Sequence, residues 1–169
     1  MSDQTPVPVE PVQPAMGREV GTREGSFRAK GSGDTSGFGG LVRKVVLETA
    51  TGRPFGSYFD EVADQLEAAL VRRGVAVEDA IDYYNVQHDQ LTIAVRRTAL
   101  VQVAQALRDE AALRFEVCTS VNGVHWPEDT GRELHAEYQL LSMTHNRRVS
   151  LKVTCPDADS HIPSVTAIW

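Results

Sequence analysis

Histidine, cysteine and carboxylate side chains are the groups of this sequence that could act in acid-base catalysis, nucleophilic attack or metal binding. The five histidines are scattered, no two stand four residues apart on a predicted helix, and no His-Glu-x-x-His segment occurs. We therefore predict that they are exposed or locally hydrogen-bonded, and that the chain has no catalytic residues. They are His88, His125, His135, His145 and His161.

The two cysteines show no spacing typical of a redox or metal site. Cys118 and Cys155 belong to different predicted strands, and one chain with two thiols cannot supply the four ligands of an iron–sulfur cluster or a structural zinc site. We interpret both as free, buried thiols. Asp157 and Asp159 resemble a calcium loop only in their alternation, because the glycine and the closing glutamate of such a loop are missing. We predict no metal site.

Residues 31–40, GSGDTSGFGG, are the one segment whose glycine content is typical of a phosphate-binding loop. The loop motif ends in Lys followed by Ser or Thr, and the dinucleotide motif is G-x-G-x-x-G after a strand. Neither occurs here. No serine stands in a G-x-S-x-G nucleophile elbow either. The sequence therefore predicts no cofactor-binding residues.

The stretch Thr144-His145-Asn146-Arg147-Arg148 lies between two runs of alternating apolar residues, which predict two strands. A hairpin turn suits this position, since asparagine tolerates the left-handed backbone of tight turns. The arginine pair, like the earlier pair at 96–97, could protect a solvated strand edge. It could also present guanidinium groups to a carboxylate on another protein chain. The chemistry alone favours the first interpretation.

Length and charge restrict the class of protein. A chain of 169 residues is long enough for one domain with a real core. A formal net charge of -6 argues against nucleic acid as the main partner, because phosphate binding shows itself as a clustered basic excess. No apolar run approaches the roughly 20 residues of a membrane-spanning helix. Without a secretion or transit signal, a cytoplasmic, bacterial-type protein is expected.

Apolar periodicity predicts two helices. The first begins at Ser57 as its N-cap and stops at Gly74, with acidic residues in its first turn and Arg72 in its last. The second begins at Thr98. The residues predicted to face the core are Phe59, Val62, Ala63, Leu66, Ala69 and Leu70 on the first helix, and Leu100, Val103, Ala104, Leu107 and Ala111 on the second.

Period-two runs predict five strands: a hairpin between the helices and three strands after the second helix. Ser164 could cap a short closing helix. The order α-β-β-α-β-β-β predicts an α+β fold, a two-layer domain with two helices packed on a mixed, largely antiparallel sheet. The predicted strands occupy residues 80–86, 91–97, 114–121, 133–143 and 147–154.

Two further features concern the limits of this domain. Residues 1–40 are rich in proline and glycine and poor in apolar mass, which predicts a flexible arm, with residues 41–169 as a single α+β domain. Leu140 and Leu141 alternate across one strand, and the adjacent Tyr83 and Tyr84 across another. Apolar residues on both sides of a sheet predict that its second face is covered, by the closing helix, by further residues or by a partner.

Three segments carry a resemblance to a known family. Residues 115–127, FEVCTSVNGVHWP, residues 134–153, LHAEYQLLSMTHNRRVSLKV, and residues 162–169, IPSVTAIW, resemble the C subunit of the bacterial proton-pumping NADH:quinone oxidoreductase, respiratory complex I. Residues 33–43 resemble its N-terminal arm. The family's fold places two helices on a mixed sheet. Its C-terminal E-R-E segment does not follow here, so the chain is expected to be a truncated member that ends its domain incomplete.

The resemblance implies a non-catalytic scaffold subunit in the cytoplasmic arm of the complex, which supports electron transfer from NADH to quinone coupled to proton translocation. Flavin and iron–sulfur clusters are then expected in partner subunits. The implied partners are chiefly the D subunit, with the B and I subunits nearby, and the implied location is the cytoplasmic face of the bacterial cell membrane, peripheral and without direct insertion. The alternative is a free-standing α+β module that binds protein or nucleic acid.

The resemblance also turns the hairpin tip into a predicted partner interface. Its candidate residues are His145, Asn146, Arg147, Arg148 and Trp169.

Overall fold

The computed structural model describes residues 17–24 and 41–169 of the chain. Two long helices and one short helix lie with a five-stranded sheet, and a two-stranded ribbon precedes them. The predicted α+β fold, with its helices on a mixed sheet, is confirmed. The elements are β1 Arg18–Glu24, β2 Val42–Leu47, α1 Phe59–Arg72, α2 Val77–Ala80, β3 Ile81–Gln87, β4 Gln90–Val95, α3 Leu100–Asp109, β5 Val117–His125, β6 Leu134–Ser142 and β7 Arg147–Cys155.

Helix α1 buries the face that its periodicity predicts, since all six predicted residues are buried. Gly74, with φ of 74°, follows its C-terminus in the left-handed conformation. The predicted N-cap is wrong: Ser57 has φ of 52° and caps nothing. The carboxylate of Asp60 instead accepts hydrogen bonds from the backbone N–H groups of Phe55 (2.8 Å) and Gly56 (2.9 Å), which fixes the turn that enters the helix.

Helix α3 follows a short 3₁₀ turn at Arg97–Ala99. Its predicted face is buried, with the exception of Ala111. Ala111 is exposed because the backbone becomes extended at Glu110 (ψ of 128°), which ends the helix before Ala111 can reach the core. The prediction for Ala111 is therefore wrong.

The sheet has the strand order β3-β4-β7-β6-β5. Strands β4 and β7 are parallel, with Ile93 opposite Leu151, and every other neighbouring pair is antiparallel. One face of these strands packs against α1 and α3 to form the core, in which Leu66, Leu107 and Leu151 are completely buried. The five strands and two long helices thus come in the predicted order, and the short helix α2 was not predicted.

The predicted closing helix is wrong. After β7 a 3₁₀ turn at Asp157–Asp159 leads into an extended segment, and only one turn forms at its end. In that turn the N–H groups of Ile168 (2.8 Å) and Trp169 (3.3 Å) both donate to the carbonyl of Val165. Val165 and Ile168 are buried against the core, so packing rather than helix formation holds this segment.

The ribbon of β1 and β2 was not predicted from the sequence. The predicted flexible arm, residues 1–40, lies mostly outside the described residues, and the part that is described, Arg18–Glu24, is a strand paired with β2. This ribbon and the chain that follows it contact the sheet face opposite the helices. Arg18 pairs with Asp129, and the carbonyl of Thr49 accepts a hydrogen bond of 2.6 Å from Asn85 Nδ2.

The second face of the sheet is therefore partly covered, as predicted, but its chemistry differs from the prediction. The side chains buried there are mainly polar, because alternation along the strands puts the large apolar residues on the helix side. Leu141 and Tyr83 are only half-buried. The buried polar residues of this face are Asn85, His135, Ser150 and Lys152.

Candidate partner-binding site

The predicted interface lies at the turn between β6 and β7, which Glu116 fastens to the start of β5. The N–H of Met143 donates to Glu116 Oε2 at 3.0 Å, and the hydroxyl of Thr144 donates to Oε1. These bonds, the Thr144 bond foremost, lower the pKa of Glu116 to about 2. Asn146 has φ of 51°, the left-handed conformation that the turn requires. The turn is thus held by a carboxylate that stays ionised.

Arg147 is bound within the chain rather than free at the tip. Its Nη2 donates to Glu61 Oε2 of α1 at 2.7 Å, and its guanidinium lies 5.2 Å from the centroid of the Tyr58 ring. The hydrogen bond from Arg147 lowers the pKa of Glu61. The Arg147 side chain keeps 19% of its area exposed. It therefore fixes the hairpin to the first helix.

Arg148 is held by its backbone and leaves its side chain in solvent. Its N–H donates to Tyr58 Oη at 3.1 Å, and the Tyr58 hydroxyl donates to the Arg148 carbonyl at 2.9 Å. The guanidinium forms no hydrogen bond or ion pair with any residue of 17–24 or 41–169. It lines an open polar groove of about 680 Å³. Other groove residues are His88, Asp89, Gln90, Thr119, Ser120, Gln139 and Asn146.

His145 and Trp169 both contact the connector between α3 and β5, residues 110–116. The Nε2 of His145 lies 3.0 Å from the carbonyl oxygen of Ala111, and the indole N–H of Trp169 donates to the carbonyl of Phe115 at 2.8 Å. Both side chains are half-buried. Of the five predicted interface residues, Asn146 and Arg148 are the exposed ones, and their role in binding a partner stays a prediction.

Sequence reasoning missed the residues that support the tip, namely Tyr58, Glu61 and Glu116. In the sequence Glu61 is an acidic residue in the first turn of a helix, which the helix dipole explains without a partner. Glu116 precedes a strand, 28 residues from Thr144. No local pattern connects these residues, because the contacts form only when α1 and the hairpin pack side by side.

A cluster of paired charges lies under the ribbon on the second face of the sheet. Lys152 Nζ is 2.7 Å from Glu48 Oε1 and 3.8 Å from Glu137 Oε1, with 6% of the lysine side chain exposed. Asp129, 3% exposed, accepts from Arg18 and lies 3.2 Å from His135 Nε2. Burial lowers the pKa of His135. Buried charges are tolerated when they are paired, so this cluster joins the ribbon to the sheet.

Metal-binding and thiol groups were also compared across the described ranges. No three His, Cys, Asp or Glu side chains of residues 17–24 and 41–169 converge as a metal site would require. Cys118 and Cys155 are free thiols, and burial raises the pKa of each, which disfavours the reactive thiolate. No helix in the described part of the chain combines the length and apolar character needed to cross a bilayer.

Comparison with known proteins identifies the class. Residues 93–169, from β4 to the last residue, match the model of the family described as respiratory-chain NADH dehydrogenase, 30 kDa subunit. The fold is similar to a chain of the membrane-bound sulfane sulfur reductase, an archaeal respiratory membrane complex, with a TM-score of 0.50, 17% identity, and coverage of 67% of this chain and 60% of that one. At this identity the likeness concerns the fold alone.

Curated relatives name the particular subunit. The chain is 59% identical over 150 residues to the C subunit of NADH-quinone oxidoreductase from Mycobacterium ulcerans, covering 89% of this chain and 63% of the relative. It is 55% identical to the corresponding subunit of Mycobacterium tuberculosis, with 89% and 64% covered. The chain belongs to this family, and the resemblance to the C subunit is confirmed. It spans a little under two thirds of the length of these relatives.

Proposed function

We propose that the chain is a non-catalytic scaffold subunit in the cytoplasmic arm of an NADH:quinone oxidoreductase, supporting electron transfer from NADH to quinone coupled to proton translocation. The observation that carries this proposal is the 59% identity to a C subunit of that enzyme over 150 residues. Identity at this level across most of the chain favours a shared place in the same kind of assembly.

Under this proposal the flavin and the iron–sulfur clusters belong to partner subunits, and the chain itself holds no cofactor. Its partners are chiefly the D subunit, with the B and I subunits nearby. The hairpin tip supports a role in assembly, because Arg148 offers a guanidinium that is unpaired among the described residues, while Arg147 and Glu116 hold the turn rigid. A preorganised arginine loses little freedom when it pairs with a partner carboxylate.

The proposed location is the cytoplasmic face of the bacterial cell membrane, with the chain peripheral and retained by its partner subunits. Binding through partners predicts that the chain sediments with membranes when the complex is intact. It also predicts release into the soluble fraction when the complex is dissociated.

The test is to express the affinity-tagged full-length protein in its bacterial host and purify it from detergent-solubilised membranes. We expect the other oxidoreductase subunits to copurify, the complex to reduce quinone with NADH, and the isolated chain to show no NADH oxidation. Purification without those subunits would contradict the proposal. NADH oxidation by the lone chain would indicate a free-standing enzyme, and salt-sensitive binding of DNA or RNA would favour a nucleic-acid-binding module.

A further inference from the structure

The two edges of the five-stranded sheet are treated differently. The edge strand β3 is covered by the chain that follows the ribbon, because the N–H of Thr51 donates to the carbonyl of Tyr84 at 2.8 Å and the N–H of Val86 donates to Thr51 Oγ1 at 2.9 Å. Strand β5, at the other edge, pairs within the described residues with β6 alone. One edge is closed and the other is open.

The hydrogen-bonding direction of β5 follows from the end of its ladder. The N–H of Trp126 donates to the carbonyl of Glu133 at 2.7 Å, in the same register as the pairing of β5 with β6. Bonded and non-bonded pairs alternate in an antiparallel ladder. The N–H and C=O groups of Val121, Gly123 and His125 therefore point away from β6, in the regular part of the strand beyond the bulge near Cys118.

Strand β5 lacks the features with which proteins protect an open edge. Residues 117–124 contain no charged side chain and no proline, and Val121 is 58% exposed. Native edge strands are usually short, charged, interrupted by proline or covered. A nine-residue strand without these features is suited to pairing with another strand.

An apolar pocket of about 400 Å³ adjoins this edge. Gly123 contributes open space, since a Cβ built there would meet nothing within 4 Å. Peptides that extend a sheet gain affinity from main-chain hydrogen bonds and specificity from pockets for alternate side chains. The apolar residues that line the pocket are Val124, Leu134, Ala136, Cys155 and Ile162.

We propose that β5 binds an extended, uncharged segment of a partner subunit by strand addition, with one apolar side chain of that segment in the pocket beside Gly123. This inference rests on the proposed function, since it assigns the partner to the assembly. The uncharged strand and the apolar pocket favour an uncharged segment. A second copy of this chain is disfavoured as the occupant, because two chains of net charge -6 repel each other.

The decisive pair of variants is Gly123→Pro and Gly123→Ala in the full-length tagged protein. Proline removes the outward N–H without breaking a bond to β6, whereas alanine keeps that N–H and fits the open space. We expect Gly123→Pro to lower the amount of this chain in the membrane complex by about tenfold, since a partner carbonyl loses its donor. Gly123→Ala should assemble normally, and both isolated variants should melt near the wild-type temperature.

Hydrogen exchange supplies a second readout that needs no variant. The amides of Val121 and Gly123 should exchange at least about tenfold more slowly in the purified complex than in the isolated chain. Equal assembly of wild type, Gly123→Pro and Gly123→Ala, or unchanged exchange at these amides, would overturn strand addition. An equal loss with both variants would also overturn it, because the outward N–H would then not be the cause.

The same experiment separates this inference from the proposed function. If the wild-type chain fails to copurify with the oxidoreductase subunits, the proposed function is wrong. If it copurifies and Gly123→Pro does so equally well, strand addition alone is wrong. Sedimentation of the isolated chain tests the other occupants: a wild-type dimer that Gly123→Pro abolishes would assign the edge to a second copy. Slow exchange at Gly123 in the isolated monomer would assign it to the chain's own remaining residues.

Discussion

Arg147 and Arg148 are adjacent in the sequence, but only Arg147 reaches across to α1, where its Nη2 lies 2.7 Å from Oε2 of Glu61. Because β7 begins at this pair, alternation along the strand sends the two side chains in opposite directions. One arginine joins two elements of the fold, and its neighbour stays available to a partner. This division makes the pair a matched set for testing the tip.

Replacing Arg148 by Ala should leave the melting temperature within about 2 °C of wild type, because an exposed side chain that contacts no charged group of the described fold contributes little to stability. The same change should deplete the assembled complex, since truncating a desolvated arginine at an interface costs about 2–5 kcal/mol of binding. Native gels of membranes with an NADH:quinone activity stain measure this. A normal amount of active complex would leave the tip as structure only.

Replacing Arg147 by Ala should instead act on the isolated fold. Loss of the contacts with Glu61 and Tyr58 is expected to lower the melting temperature by a few degrees, since both contacts are partly exposed to solvent. Thermal unfolding of the isolated chain measures this, with Arg148→Ala as the control. Equal melting of the two variants would show that the contact with α1 contributes nothing.

Core truncation should be costly in both long helices. Leu66 and Leu107 are completely buried, so replacing either by Ala is expected to lower the free energy of unfolding by about 2–5 kcal/mol. Val71, on the outer face of α1 and 64% exposed, is the control, and Val71→Ala should change it by less than about 0.5 kcal/mol. Urea unfolding followed by circular dichroism separates these outcomes, and similar losses for Leu66 and Val71 would contradict the packing.

Glu48 and Lys152 should differ in their sensitivity to substitution. Glu48→Gln leaves a buried ammonium with only Glu137 at 3.8 Å, so the loss should lie at or below the low end of about 3–5 kcal/mol. Lys152→Met removes the buried charge and leaves two carboxylates with 18% and 33% of their side chains exposed, which should cost less. Urea unfolding at neutral pH tests the order, and a larger loss for Lys152→Met would reverse the argument.

Acid should loosen the hairpin through Glu116. Its pKa falls from 4.5 to about 2 on folding, so its stabilising effect is complete above the unfolded value and is lost as the pH falls from about 5 to about 2. Glu116→Gln cannot ionise and should be less stable than wild type at neutral pH, with the difference shrinking in acid. Thermal melts across this pH range measure the difference. A constant difference would show that ionisation of Glu116 is not involved.

Much of the fold could be predicted from the sequence, because local periodicity carries it. The apolar spacing of α1 and the alternation in β6 and β7 are imposed by the same face meeting the same core along one element. These elements, their order and the identity of the core leucines followed from pattern alone. The failures were local too: Ser57 lost the N-cap to the Asp60 carboxylate, and the closing helix became a single turn held by packing.

The sequence by itself determined the elements, the absence of any familiar catalytic motif and the resemblance to one subunit family of the oxidoreductase. Only the tertiary structure decided what the polar residues do. It paired Lys152 with Glu48 across the ribbon, bound Arg147 to α1, fastened the hairpin through Glu116, and left Arg148 and the edge of β5 open. The physical reason is distance along the chain: these contacts join residues that have no periodic relationship, so only the packing of separate elements brings them together.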